Sequence, residues 1–384
     1  MLSIVMPVFN GADTLMEAYA SISKGVSTEH EIIFVDDASS DSSKDLIGEI
    51  LVKDKTARLM SHDRNLGGGA ARNTGVRSAS YDIVFVLDCD DVLVPGALDA
   101  ALNELISSGV DGLANGYASC FRDDINRPVL RHQFRSGDIG RFSDLLALEA
   151  NPYIGNLLFK RNVFERIGGY PEHHGFDTHA FGYRLLGNGQ RVLISERQLY
   201  HQRLPTKPSY YMREVKSGNA AKNWQLIFLE FLYKFNSEVR RKIIEYQCYS
   251  PSVAADRANL YLELASENLL GNIFDEASCH LSVAEAFEKY KSSDDQDVLL
   301  WLSYVCLLRG DYRQAEKYAG RLHSDLARQL LCQVLVRLFF RNPTDRNLVG
   351  EYVSSIGASK TTMWVLSCTL RRVQNKIRKI VSLD

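Results

Sequence analysis

The run Ile83-Val84-Phe85-Val86-Leu87 passes directly into Asp88-Cys89-Asp90-Asp91, and no other stretch constrains the chain so tightly. An unbroken row of β-branched, aromatic and aliphatic side chains fits a strand buried on both faces. A cluster of carboxylates then falls where such a strand would leave its sheet. Like charges this close repel, and a hard divalent cation carrying phosphate oxygens would balance them. Open α/β sheets take their ligands at the carboxyl ends of the strands. Asp also favours turns and helix caps, so an acidic turn leading into a helix near Pro95 is the plainer reading.

The segments around this run have the same grammar. Strand-like stretches at Ser3–Val8, Glu31–Val35, Arg58–Ser61 and Asp82–Leu87 alternate with helix-compatible ones at Ala12–Lys24, Ser42–Lys53 and Gly69–Ala79. Alternation with short connections predicts an α/β domain built on a doubly wound, mostly parallel sheet. Residues 121–213 are less regular and punctuated by glycine and proline, as segments completing a binding site often are. From 214 onward apolar residues recur at helical spacing, which divides the chain into an α/β domain, 1–213, and an all-α region, 214–384. Leu270–Ala277 and Arg309–Ala315 resemble each other, in the manner of tetratricopeptide helix hairpins. A plain helical bundle fits that region equally.

Composition excludes several classes. A net charge of −2 argues against wholesale nucleic-acid binding. Seven cysteines, without a CxxC pair, suit reduced thiols in a cytosolic protein. No stretch approaches the roughly 18 apolar residues that span a bilayer. The tail 360–384 mixes cations with apolar residues at helical spacing. It suggests either peripheral contact at the inner face of the membrane or a last packed helix.

Four elements would have to converge on the acidic cluster. Pro7-Val8-Phe9-Asn10 ends the first strand, and Phe9 offers a flat face for a nucleobase. Asp36-Asp37 ends the second strand, ahead of Ser40 and Asp41, which could cap the next helix. Arg64-Asn65 leads into a glycine run and Arg72, which allows close backbone approach and a counter-charge. This is not the dinucleotide fingerprint, and it does not follow the first strand. Lastly, Asp177 opens a helical segment, while His201 and Arg203 could bring an imidazole to a metal and a cation to phosphate.

In order and spacing these pieces resemble family 2 glycosyltransferases, inverting enzymes of the GT-A fold that use nucleotide-diphosphate sugars. The matching stretches are Ser3–Asn10, Glu31–Asp41, Asn65–Gly75, Asp82–Asp91, Gly155–Pro171 and Phe176–Arg203. The resemblance implies that Pro7, Phe9, Asn10, Asp36 and Asp37 hold base and ribose. It places Arg64, Asn65 and Arg72 along the nucleotide, and Asp88 on ribose or donor sugar. Asp90, Asp91 and His201 would bind Mg²⁺ or Mn²⁺, and Asp177 would be the catalytic base. Family members often carry Glu-Asp where this chain has Phe176-Asp177, which affects acceptor contacts more than chemistry. The implied partners are a nucleotide-sugar donor, with uracil the favoured base, and a glycan or lipid-linked acceptor. A homo-oligomer assembled through the helical half is a further expectation. A sugar nucleotidyltransferase is the rival enzyme, although residues 7–13 lack the basic loop it would need. A non-catalytic scaffold working through the helical half is the rival class.

Overall fold

The computed structural model describes residues 1–137, 139–140, 153, 155–172, 176–204, 213, 216, 219–249, 264, 266–267, 269, 273–328, 330–331 and 334–335. The chain divides into two compact units, Met1–Ser217 and Gly218–Asp384.

In the first unit the predicted alternation is present. Strands β1 (Leu2–Val8), β2 (His30–Asp36), β3 (Ala57–Ser61) and β4 (Ile83–Val86) alternate with helices α1 (Leu15–Gly25), α2 (Ser43–Lys53) and α3 (Gly68–Ser78). Next come β5 (Val92–Leu93), α4 (Ala97–Ser108), β6 (Gly112–Ala114), β7 (Tyr117–Phe121) and β8 (Leu130–Gln133). The unit continues through β9 (Leu158–Lys160), α5 (Arg161–Ile167), α6 (Asp177–Gly187), β10 (Val192–Ile194) and β11 (Tyr200–Arg203). The seven-stranded main sheet has the order β10-β6-β9-β4-β1-β2-β3. Strand β9 is antiparallel to both β4 and β6, and the other neighbours are parallel. A second, four-stranded sheet has the order β5-β11-β7-β8.

Burial explains the register. Ile4, Val5, Ile32, Ile33, Phe34, Val84 and Phe85 are wholly buried, so a slip of one residue would gain nothing and misalign the core. Parallel pairing sets Val8 beside Asp36, Asp36 beside Ser61 and Val5 beside Val86. Chain exits at Phe9, Asp37, His62 and Leu87 therefore share one end of the sheet. The region expected to be irregular supplies β8, β9, α5, α6, β10 and β11. Its strands are only three or four residues long, too short for periodicity to register.

The second unit is helical where described, with α7 (Asn219–Glu230), α8 (Ser237–Tyr249), α9 (Val283–Tyr290), α10 (Gln296–Leu308) and α11 (Tyr312–Ala319). Its core is aromatic, with the Tyr233 and Trp301 rings 4.6 Å apart and Trp301 Nε1 donating to Glu230 O (3.0 Å). Arg309-Gly310-Asp311 turns α10 into α11, and Asp311 caps the latter by accepting from Gln314 N (3.2 Å). The other repeat-like stretch is described only from Ile273, and its Ala277 lies in a turn ahead of α9. The tail 360–384 lies outside the described residues. No described helix is long and apolar enough to cross a membrane.

Candidate active site

The acidic turn is built by the end of β4. Asp91 N donates to Asp88 O (3.0 Å), which folds the four residues back on themselves. Asp88, Asp90 and Asp91 each bring a carboxylate oxygen within 4.8 Å of the other two. Asp91 is buried and fully engaged, accepting from Asn156 Nδ2 (2.7 Å) and Arg203 N (3.0 Å). Asp88 and Asp90 are half-buried. Burial first, and then the neighbouring Asp88 charge, push the Asp90 carboxyl up to about 6. Burial and the charges of Asp90 and Asp88 hold Asp91 well above the ordinary range. Nearby Arg203 and Arg72 pull Asp90 down without cancelling that rise. Such hard, charge-frustrated oxygen donors suit Mg²⁺ or Mn²⁺.

Arg203 ties this turn to its surroundings. Its Nε donates to Asp90 O (3.2 Å), Nη1 to Arg122 O (3.0 Å), and Nη2 to Glu17 on α1. The guanidinium also lies 4.4 Å from the Phe121 ring centroid. Every arm of the fork is thus engaged within the protein.

Arg72, one turn into α3, connects the acidic turn to the helix opened by Asp177. Its Nη2 donates to Asp88 Oδ1 (2.5 Å) and its Nη1 to Asp177 Oδ2 (2.6 Å). The Arg72 side chain is 9% exposed. Burial alone would lower its basicity, yet the charges of Asp88 and then Asp177 outweigh burial and hold it well above the ordinary arginine range. Its Nε is buried with no hydrogen-bond partner among the described residues. The Tyr170 ring lies beside the guanidinium, 5.9 Å from centroid to Cζ, and stacks on Phe181 of α6 at 3.9 Å. Asn73, next to Arg72, latches the same loop. Its Nδ2 donates to Tyr170 O (2.8 Å) and Glu172 Oε1 (2.6 Å), and its Oδ1 accepts from Tyr170 N (2.8 Å).

The remaining expected residues divide. Pro7 stays within β1, and Phe9 beyond it is 50% exposed. Asn10, at φ 53°, accepts from Ser40 N (2.8 Å), which stitches the β1 exit to the β2 exit. Asp36 is buried and accepts from Ser39 N (3.1 Å). Asp37 is also buried, and its oxygens accept from Leu66 N and Gly67 N (2.8 Å each). His62 Nδ1 lies 2.7 Å from the same carboxylate, and His62 Nε2 lies 2.9 Å from Thr74 Oγ1. Arg64 and Asn65 are exposed in the loop that Asp37 holds. His201 stands apart from the acidic group, and its Nδ1 lies 2.9 Å from Gln198 Nε2 and 3.2 Å from Ser119 Oγ. Gln198 can only donate there, so the Nδ1 lone pair is occupied. Burial, then Arg131, lowers the His201 pKa.

Sequence reading passed over Asn156, His62, Asn73 and Tyr170. Asn73, Asn156 and Tyr170 lie inside the matching stretches yet were given no role, since each acts through a partner distant along the chain. A buried Asn or His beside charged motifs was the only available signal.

Glycosyl transferase family 2, as a sequence profile, matches residues 3–168. An uncharacterized glycosyltransferase of Haemophilus influenzae is 33% identical over 31% of this chain and 48% of its own length. The Escherichia coli UDP-Glc:alpha-D-GlcNAc-diphosphoundecaprenol beta-1,3-glucosyltransferase WfgD is 26% identical over 30% of this chain and 46% of its own. The chain thus spans less than half the length of these relatives. Among solved structures, S. aureus TarS 1-349 in complex with UDP superposes with a TM-score of 0.51 at 16% identity, covering 92% of this chain and 90% of that one. That likeness is one of fold, the GT-A arrangement of a mixed sheet flanked by helices with a helical region after it. Residues 3–168 of the chain are thus similar to glycosyl transferase family 2, and the fold agrees with that likeness.

Proposed function

We propose that the chain is an inverting glycosyltransferase, moving a sugar from a UDP-linked donor to an acceptor hydroxyl of a growing glycan or lipid-linked saccharide. The observation that carries this reading is the bridge from Asp88 through Arg72 to Asp177, which joins the acidic turn to a second carboxylate at one locus. Uridine is supported by the UDP and UDP-GlcNAc complexes of the similarly folded TarS, and by the UDP-Glc donor in WfgD's name.

Each group then has work suited to its chemistry. Phe9, half exposed beside the Asn10–Ser40 stitch, offers a stacking face to the base. Asp88 and Asp90, with Asp91 behind them, would hold Mg²⁺ or Mn²⁺. The bound ion supplies Lewis acidity to a departing diphosphate. Asp177 accepts from Arg72 through Oδ2, which leaves Oδ1 to take the proton of the attacking hydroxyl. Attack on the face opposite the leaving diphosphate inverts the anomeric carbon.

The test is a screen of sugar nucleotides with Mn²⁺ or Mg²⁺, measuring release of nucleoside diphosphate by the native chain and by Asp177→Asn. Turnover by the native chain, with transfer abolished and donor binding retained in the variant, is expected. Full turnover by Asp177→Asn refutes the base assignment.

A further inference from the structure

Arg72 is buried between two carboxylates, and its surroundings point to a role beyond contact with a nucleotide. We propose that Arg72 is a positioning residue. Its rigid fork bonds Asp88 with one terminal nitrogen and Asp177 with the other, and so sets the base relative to the donor site. This rests on the reading of Asp177 as the base.

The geometry that carries it is specific. The two terminal nitrogens of one planar guanidinium are each bonded to a different carboxylate, at 2.5 Å and 2.6 Å. Because the fork is planar and its nitrogens are fixed relative to each other, neither carboxylate can shift without the other. The fork itself is braced. Tyr170 lies against it and is held by Asn73 from the same helix, so α3 and the loop before α6 grip the guanidinium together. Its Nε is buried and makes no hydrogen bond among the described residues, so the two terminal nitrogens carry its contacts with the carboxylates. Gly68, at the start of α3, adds the last wall. A Cβ there would meet Arg72 Nη1 at 2.5 Å and Asp177 Oδ2 at 2.9 Å. The helix terminus is therefore cut back where those two atoms meet.

Lysine keeps the charge but is a point donor on a flexible stem, and it cannot reproduce the fork. Arg72→Lys should lower kcat for transfer roughly 10- to 100-fold, the scale of a reacting group misplaced by about an ångström. The donor KM should stay within about threefold. The same split is expected in Gly68→Ala, which keeps both charged side chains but forces Arg72 Nη1 or Asp177 Oδ2 to shift. The atoms that the added methyl meets are the ends of two side chains, which can give way while α3 stays folded, and the thermal transition of this variant is measured beside its kinetics. Both are measured with the UDP-sugar varied at saturating acceptor, beside Asp177→Asn. If Arg72→Lys and Gly68→Ala turn over like the native chain while Asp177→Asn is dead, the positioning role falls and the base assignment stands. If donor KM rises with kcat unchanged, Arg72 is a donor ligand and the inference falls. If Asp177→Asn is active, it is the underlying reading that has failed.

Discussion

Asp37 separates two uses of one carboxylate. By resemblance it belongs to the base or ribose, yet its oxygens accept from Leu66 N and Gly67 N at 2.8 Å while His62 Nδ1 sits 2.7 Å away. Asp37→Asn retains one carbonyl oxygen, and in either orientation its NH₂ faces a backbone donor. The better orientation keeps the oxygen toward Leu66 and His62 and turns the amide against Gly67 N–H. One bond is then lost, and two bonds lose the assistance of a negative charge. Charge-assisted bonds contribute about 1.5–3 kcal/mol, against about 0.5–1.5 for neutral ones. Leu66 and Gly67 are only half-buried, so water recovers part of the difference. The net loss should be about 2 kcal/mol. A domain of this size loses roughly 2–4 °C of Tm per kcal/mol, so the transition should fall by roughly 4–8 °C. Circular-dichroism melting reads this directly, and titration with UDP reads the other use. Donor affinity should drop only modestly, through loosening of the loop that carries Arg64 and Asn65. An unchanged Tm with UDP binding weakened more than about tenfold would refute the reasoning, because the carboxylate would then be reserved for the nucleotide.

Two further outcomes are expected. Chelation with EDTA should stop nucleoside diphosphate release, and Mn²⁺ or Mg²⁺ should restore it, since Asp88, Asp90 and Asp91 crowd within 4.8 Å of one another and Arg72 and Arg203 do not cancel the rise this causes at Asp90; undiminished release in EDTA would remove the metal. Lys234 is buried, donates to Cys279 O (3.0 Å) and Leu281 O (2.9 Å), and burial lowers its pKa from 10.5 to about 8. Between those values the unfolded chain binds the extra proton, so stability should rise from pH 8 toward 9.5, by at most roughly 3 kcal/mol over the whole interval. Urea titrations at several pH values should show a flatter slope for Lys234→Met than for the native chain, and equal slopes would contradict the assignment.

What could be read from the residues was whatever rests on short-range periodicity. Strands β1, β2 and β4 declare themselves as near-continuous apolar runs, and helices α1 to α3 as segments of about three turns each between them. The acidic turn declares itself because three carboxylates follow an apolar strand without interruption. Strands of the second sheet did not, since β5 has two residues and β8 is mostly exposed, which leaves no alternation to detect. Nor did the antiparallel insertion of β9, which depends on pairing with β4 and β6 rather than on its own three residues.

The site divides along the same line. Asp88, Asp90 and Asp177 were visible as types in a pattern, but the pairings that give them meaning join distant parts of the chain. Arg72 reaches Asp177 across the chain, while its neighbour Asn73 holds Tyr170 and Glu172. A sequence can show that an arginine follows a glycine run; it cannot show which two acids will share its fork. That distinction decides the chemistry. An arginine facing solvent at this point would be one more counter-charge for phosphate, screened and exchangeable. Buried between two carboxylates that must keep their separation, it cannot be exchanged for lysine. The stringency at position 72 should therefore exceed that at position 64, where the side chain is exposed and a cation of either kind can serve.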